Sequence, residues 1–346
     1  MARRRAKNKR KAGRAGIKLL TALFVVALAA AGGAAWLLLT PFGPTTETFV
    51  ELKPGSSTPT IGKALENAGV IQSQYAFDLL RVFKRNTLRA GEYRFDHPAT
   101  AVQVYSRIAR GDVYTRALTI PEGSNIFDIA TRVEENGFGT RQSFLNAVVS
   151  QASLVSDIDP GARSLEGYLF PDTYRFARNV KPEQIVAAMV KRFRAVATQL
   201  GLNSNFHRVV TIASLVERET AVDAERPLVA SVFQNRLRKN MPLMTDPSLI
   251  YGLELEGKWR GTIYQSDLKR DTAYNSYLHA GLPPSPIANP GIPSLRAAIN
   301  PANTDYLYFV AAGANAQGHS VFSATLDEHN REVAGYRRAL KKAGGR

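Results

Sequence analysis

Apolar residues along this chain follow two periods, one typical of helices and one typical of strands. A period near 3.6 residues predicts amphipathic helices, and it occupies residues 100–112, 181–196, 207–220, 227–237 and 326–340. Alternation of apolar and polar residues predicts strands, and it occupies residues 48–52, 91–95 and 116–120. Two more apolar runs, YLYFVAA (306–312) and HSVFSAT (319–325), are joined by GANAQG and predict a hairpin. Helices mixed with a small sheet predict an α+β fold.

One apolar segment is long enough to cross a membrane. Residues 19–39 carry no charge, and at about 1.5 Å per residue this helix matches the roughly 30 Å of a bilayer core. We expect a single transmembrane helix here; the alternative is a cleaved signal peptide, whose apolar region would be shorter. Residues 1–18 hold nine Lys or Arg, so the positive-inside rule predicts a cytoplasmic tail and a chain that continues outside the plasma membrane.

A repeat follows a Pro/Gly/Thr linker at residues 40–46. GSSTPTIGKALENAGVI (55–71) aligns without a gap on GSNIFDIATRVEENGFG (123–139), and a predicted strand precedes each copy. Each copy predicts a Gly-Ser turn followed by an amphipathic helix that ends at a glycine. We expect the two copies to pack together as one module with a shared core.

Charge and composition exclude several functions. The net charge is +16, but the first 18 residues supply nine of these charges, so anionic lipid explains the tail better than nucleic acid does. The chain has no cysteine, and its five histidines show no metal-ligand spacing such as HExxH. We therefore expect no metal, no other cofactor and no nucleic-acid partner.

Glu217 is the candidate for chemistry within HRVVTIASLVERET (207–220). It shares a predicted helix face with small and aliphatic residues, and Glu219 points nearly the opposite way. A carboxyl group held against apolar surface has its charged form disfavoured, which suits a general acid. The alternative is a structural glutamate in a surface ion pair with Arg218 or Arg226.

Several short sequence motifs occur in a fixed order before and after this helix. LEGYLFPDTYRF (165–176) precedes ASLVERET, and an FQNRL helix, TDPSLIYG, AYNSY and GLPPSPIANPG follow it. The series resembles the endolytic murein transglycosylases, the YceG-like family, over nearly the whole chain. The resemblance implies that Glu217, the first glutamate of the ASLVERET motif, is the catalytic acid and base. It also implies a LysM-like region at 47–158 and an α+β catalytic domain at 159–346.

Four residues in the downstream words are candidates for sugar binding, namely Asp246, Tyr251, Tyr274 and Asn275. For three of them a purely structural role is the alternative to sugar binding. Asp246 is equally suited to capping a short helix at 245–252, since aspartate is a favoured N-cap residue. Tyr274 and Asn275 could equally shape a turn.

The resemblance implies a reaction as well. A lytic transglycosylase cleaves the MurNAc-β-1,4-GlcNAc bond of peptidoglycan with a single carboxyl group and leaves 1,6-anhydro-N-acetylmuramic acid ends. Cleavage inside the strands would terminate their elongation next to the peptidoglycan synthesis machinery. The alternative is a non-enzymatic anchor that binds peptidoglycan through the LysM-like region, in which Glu217 is structural.

Overall fold

A computed structural model of the chain describes residues 2–313 and 318–344, with the side chains of 17–313 and 318–342. Within these residues the chain forms two compact units that divide between Arg116 and Ala117. Each unit has its own apolar core. The basic side chains of residues 2–16, and residues 314–317 of the predicted GANAQG turn, lie outside the described part.

The first unit packs short helices against a two-stranded sheet. Its elements are α1 (Ala2–Leu39), β1 (Thr48–Leu52), α2 (Thr58–Asn67), α3 (Gln74–Lys84), β2 (Gly91–Phe95) and α4 (Ala101–Arg110). The strands are antiparallel, with Thr48 opposite Phe95. Tyr93 and Tyr105 are fully buried in the core. Both strands and α4 lie where the sequence predicted them.

The apolar stretch Ile17–Leu39 of α1 has a mean hydropathy of 2.3, and among the described residues it alone is long and apolar enough to cross a membrane. Its side chains are exposed except near the end of the helix, where Leu38 packs against the core of the first unit. The linker after α1 is also held in place, because Phe42 and Ala99 exchange backbone hydrogen bonds of 3.0 and 2.9 Å. The predicted linker is therefore an ordered connection.

The second unit is mainly helical. Its elements are β3 (Arg116–Thr119), α5 (Ile126–Glu135), α6 (Arg141–Ser150), β4 (Thr173–Phe176), α7 (Pro182–Gln199), α8 (Phe206–Glu219), α9 (Arg226–Arg238), α10 (Asp246–Leu255), α11 (Gln265–Leu268), α12 (Ile292–Ile299), β5 (Tyr308–Ala311), β6 (Ser320–Ser323) and α13 (Leu326–Gly344), with short 3-10 turns at Ala152–Val155 and Asp223–Glu225. β3 pairs with β4, and β5 pairs antiparallel with β6. The predicted hairpin is thus confirmed, as is the mixed helix and strand composition.

The two copies of the repeat contribute to different cores, so the expectation of a shared core is wrong. Ile61 and Leu65 of the first copy lie in the core of the first unit, whereas Ile129 and Val133 lie in that of the second. In each copy the apolar face of the helix is covered by the next helix in the chain: α3 packs on α2, and α6 packs on α5. The second compact unit begins at Ala117, so it includes the second copy of the repeat.

One local expectation also needs correction. The N-cap position of α10 is Thr245, and the helix continues past the buried Gly252 to Leu255. Asp246 is therefore the first helical residue and not the cap. In LEGYLFPDTYRF the residues Thr173–Phe176 form a strand, and Tyr168 and Phe170 before it are buried in the core of the second unit.

Candidate active site

Two glutamates end α8 and meet different neighbours. The helix is buried along most of its length, because α9, α10 and α12 pack around it. Glu217 and Glu219 are two residues apart, which corresponds to about 200° around a helix. Their carboxyl groups therefore leave α8 on different sides.

Two donors hold the carboxylate of Glu217. Arg226 Nη1 donates to Oε1 at 2.9 Å, and the backbone N–H of Gly291 donates to Oε2 at 2.9 Å. The side chains of Glu217 and Arg226 are only 5 % and 6 % exposed. The expectation that this carboxyl lies against apolar surface is therefore wrong, because polar donors contact both of its oxygens. The alternative, an ion pair with Arg226, is present, although it is buried and not on the surface.

Arg226 has further partners that fix its position. Its Nε donates to Asp223 at 3.0 Å, and its Nη1 donates to Ser294 Oγ at 2.5 Å. Burial lowers the pKa of this guanidinium, but the hydrogen bonds and charges of Glu217 and Asp223 outweigh burial and raise it overall. A permanent positive charge thus lies against the Glu217 carboxyl, and the two side chains form a buried ion pair.

A groove of about 430 Å³ lies beside Glu219. Its walls come from α8, α9, α10, β5 and α13, which the fold brings together around the C-terminal end of α8. The lining combines titratable and aromatic side chains, among them Glu219, Arg236, Asp246, Tyr277, Tyr308, Phe309 and His329. Of the four predicted sugar-binding residues, Asp246 lines this groove.

The pKa of Glu219 is raised, chiefly because the carboxyl is buried. The charge of Asp246 adds to this effect, and together they outweigh the opposing influence of Thr245 and Arg236. The last turn of a helix also carries the negative end of the helix dipole, which disfavours a carboxylate there. A carboxyl that keeps its proton at higher pH can donate it to a bound ligand.

Asp246 is oriented by a tyrosine. The Tyr277 hydroxyl donates to Asp246 Oδ1 at 2.5 Å. Burial raises the pKa of Tyr277, and this hydrogen bond raises it further, so the phenol stays protonated as the donor. The groove therefore contains two carboxyl groups in different surroundings, an arrangement typical of acid and base pairs.

Arg236 and His329 both contact Tyr308. The guanidinium lies 5.2 Å from the centre of the Tyr308 ring, and the His329 ring stacks on it at 5.0 Å. Arg236 is fixed by donating to the carbonyls of Leu243 and Leu307 at 2.8 and 2.7 Å. His329 Nδ1 is buried and has no hydrogen-bond partner among the described residues. Burial and the Arg236 charge lower the pKa of His329, so its imidazole is neutral near pH 7.

Tyr251 and Tyr274 line a second cavity, of about 630 Å³, together with Glu166. Their rings meet edge to face at 5.3 Å. Burial raises the pKa of Glu166 to about 8. Asn275 is fully buried and donates to the carbonyls of Leu268 and Arg270. The predicted sugar-binding residues are therefore not brought together, and Asn275 shapes a turn.

The GLPPSPIANPG loop joins two of the sequence words. Asn289 accepts from the Leu169 N–H at 2.8 Å and donates to Glu166 at 2.8 Å. The Ile287 N–H donates to Ser214 Oγ at 3.1 Å. The loop thus links LEGYLF to the helix that contains ASLVERET.

Sequence reasoning missed most of the groove. Periodicity predicts that Glu219 faces away from Glu217, and it is Glu219 that lines the groove. Arg236 and Tyr277 stand in the words FQNRL and AYNSY, so their position in the ordered series was a usable signal. His329 belongs to the last helix, and no pattern in the sequence connects it with α8.

Comparison with known proteins gives one consistent result. A profile of the YceG-like family matches residues 50–335. An endolytic murein transglycosylase of Bacillus subtilis is 33 % identical over 322 residues, which cover 86 % of this chain and 88 % of the relative. One of Streptococcus pneumoniae is 31 % identical over 334 residues and is covered over 60 % of its length. The crystal structure of a yceG-like protein from Listeria monocytogenes superposes with a TM-score of 0.54 at 33 % identity, covering 83 % of this chain and 99 % of that one.

Proposed function

The chain belongs to the YceG-like family, and on that premise we propose that it is an endolytic lytic transglycosylase of peptidoglycan. Relatives at 33 % and 31 % identity carry the name endolytic murein transglycosylase. The observation that carries the proposal is the groove beside Glu219, where a carboxyl of raised pKa lies among aromatic and hydrogen-bonding side chains. A pocket of this composition suits a sugar chain, whose rings have apolar faces and polar edges.

We propose Glu219 as the catalytic acid and base, in preference to Glu217. A proton donor must reach its ligand and hold a proton near the working pH. Glu219 lines the groove and has a raised pKa, whereas both oxygens of Glu217 are already engaged by Arg226 and Gly291. Glu217, which the sequence resemblance selects, is the rival candidate.

The reaction then needs one carboxyl group and two proton transfers. In its acid form, Glu219 protonates the oxygen that bridges N-acetylmuramic acid and N-acetylglucosamine, and the bond from C1 to that oxygen breaks. The C6 hydroxyl of the N-acetylmuramic acid then bonds to C1, and the Glu219 carboxylate takes the hydroxyl proton. The 1,6-anhydro ring closes, the carboxyl regains its proton, and no water is consumed.

The neighbours of Glu219 support this chemistry. Asp246 raises the pKa of Glu219, which keeps the acid protonated before each turnover. Its own negative charge would also stabilise the positive charge that develops at C1. His329 offers a neutral imidazole to sugar hydroxyl or acetamido groups. Tyr251 and Tyr274 stay proposed as sugar contacts at the separate cavity of Glu166.

Hydrolysis is a second candidate reaction, favoured by the presence of Asp246 in the same groove. Hydrolytic glycosidases use two carboxyl groups, one as the acid and the other as the base or nucleophile. Asp246, oriented by Tyr277, is the residue that would take the second role. The two reactions differ in their products, since hydrolysis leaves reducing ends.

We also propose a location for the protein. The apolar stretch Ile17–Leu39 would anchor it in the plasma membrane with the basic N-terminus in the cytoplasm, and both units would lie outside. There the enzyme can reach nascent strands beside the synthesis machinery and terminate their elongation. A LysM-like contact of the repeat copies with glycan is part of the same proposal, supported by the strand-helix-helix-strand order that both copies share.

The test is to incubate the full chain, in detergent, with intact peptidoglycan and to identify the released sugar ends by mass spectrometry. The wild type should release 1,6-anhydro ends. Glu219→Gln should lower the rate by at least roughly 10²- to 10⁴-fold, as is typical for loss of a general acid or base. Glu217→Gln, checked for folding by circular dichroism, should retain more activity than Glu219→Gln.

Each other outcome points to a different function. A loss confined to Glu217→Gln would return the catalytic role to Glu217. Reducing ends would establish hydrolysis, and Asp246→Asn would be the next variant to measure. Binding of peptidoglycan by the wild type without release of fragments would support the non-enzymatic anchor.

A further inference from the structure

Helix α3 of the first unit exposes a continuous apolar stripe. Tyr75, Leu79, Val82 and Phe83 are 75 %, 36 %, 65 % and 75 % exposed. Their spacing of four, three and one residues places them on one helix face. The opposite face, with Phe77 and Leu80, is buried in the core of the first unit. Four large apolar side chains on one face of an eleven-residue helix form an interaction surface and not scattered exposure.

Helix α3, which carries this stripe, packs against the end of the apolar helix α1. α1 packs against α3 and α4, and the partly covered side chains of α1, Ala34, Leu37 and Leu38, belong to its last two turns. The side chains of residues 17–33 are all exposed. In a membrane-spanning chain, α3 would therefore lie at the level where α1 leaves the hydrocarbon core.

The composition around the stripe fits a lipid headgroup layer. Trp36 in α1 is 59 % exposed, and tryptophan and tyrosine are the residues enriched at membrane interfaces. The C-terminal end of α3 is basic, with Lys84 followed by Arg85, both exposed. Aromatic and aliphatic residues on one side with basic residues beside them are typical of a helix that lies in the membrane surface.

We propose that α3 is an interfacial helix that inserts Tyr75, Leu79, Val82 and Phe83 into the outer leaflet beside α1. Anionic lipid is the partner whose charge complements Lys84 and Arg85. The inference rests on the proposed membrane anchor. A surface helix buries its apolar face about 5–10 Å into the boundary between headgroups and acyl chains, so the stripe should sit at a shallow depth.

The absence of cysteine from the chain allows a clean test with single labels. Val82→Cys, Leu28→Cys and Lys53→Cys, each in the full chain, would carry an environment-sensitive fluorophore. The proteins are reconstituted into vesicles of phosphatidylcholine and phosphatidylglycerol that contain lipids with a nitroxide quencher at a shallow or a deep acyl position. Residue 28 lies midway along the apolar stretch Ile17–Leu39, and Lys53 is an exposed control just after β1.

The expected result is a loss of fluorescence at 82 that is stronger with the shallow quencher, and a loss at 28 that is stronger with the deep quencher. The label at 53 should keep its fluorescence. Adding Phe83→Ser to the Val82→Cys protein should weaken quenching at 82 and leave quenching at 28 unchanged in the Leu28→Cys protein. A label at 82 that stays bright while 28 is quenched would overturn the proposal. A label at 28 that also stays bright would overturn the membrane anchor itself, and the interfacial helix with it.

Discussion

Arg226 and Glu217 form an ion pair that is buried at both ends, with an N–O distance of 2.9 Å and side chains 6 % and 5 % exposed. The pair joins α9 to the last turn of α8, immediately before the glutamate that lines the groove. Under the proposal that Glu219 is the catalytic residue, this ion pair would hold the end of α8 in place. Glu219 would then be positioned by the same contact.

We expect Arg226→Met to destabilise the protein strongly. It leaves the Glu217 carboxylate buried without its partner, which typically costs about 3–5 kcal/mol. Urea unfolding followed by circular dichroism measures the change. The double variant Arg226→Met with Glu217→Gln removes both charges and should recover part of the loss. Equal loss in the single and double variants would contradict a coupled pair.

The raised pKa of Glu219, caused chiefly by burial and in part by the charge of Asp246, should set the alkaline limit of activity. Because Asp246 contributes to the raised pKa of Glu219, Asp246→Asn lowers that pKa. Glu219 then loses its proton at lower pH, so the fall of kcat/KM on the alkaline side should move to lower pH. The profile of kcat/KM against pH measures the midpoint. Asp271→Asn is the control, since the Asp271 side chain is 86 % exposed, and an equal shift in that variant would sink the assignment.

Glu166 should make the protein less stable as the pH rises. Its pKa is raised from 4.5 to about 8 in the folded state, so between these values the native protein holds a proton that the unfolded chain releases. The stabilisation is complete below pH 4.5 and is lost as the pH rises through 8, with a slope of at most about 1.4 kcal/mol per pH unit. Glu166→Gln should flatten this dependence in urea unfolding measured from pH 5 to 8. An unchanged slope would mean that another group titrates.

Gly167 should be intolerant of a side chain. It has a φ of +86°, and a Cβ there would lie 2.5 Å from Pro286 and 2.8 Å from Val210 Cγ1. Overpacking of this kind costs about 1–3 kcal/mol, and the left-handed backbone adds strain. Gly167→Ala should therefore lower the thermal midpoint, whereas Gly161→Ala, whose nearest contact is 3.8 Å away, should not. Similar midpoints for the two variants would contradict the close packing of the 281–291 loop on α8.

The periodic elements of the fold could be predicted from the sequence because their signals are local. β1, β2 and α4 begin and end within about two residues of the predicted bounds, the usual uncertainty at element ends. The helix that packs on each repeat copy could not be predicted. The sequence pattern aligns the two copies, but it does not indicate which helix lies against them. Tertiary contacts alone decide that α6 covers α5.

The candidate site, too, could be predicted only in part from the sequence. The sequence located the end of α8 and the word that contains Asp246. It favoured Glu217 over Glu219, but it could not show what packs on each helix face. Arg226 from nine residues downstream meets Glu217, and an open groove meets Glu219. Periodicity described both faces correctly and could not tell which one was occupied.

The paired hydrogen bonds between Phe42 and Ala99 limit how far the first unit can move relative to the end of α1. Seven disordered residues at 40–46 would give a tether with a root-mean-square reach of about 15 Å, and a unit on such a tether would sweep a hemisphere above the bilayer. With that slack removed, the first unit travels as one body with α1. Under the membrane anchor proposed above, the first unit would meet glycan through lateral diffusion in the plane of the membrane, and it would stay at a constant level relative to the lipid.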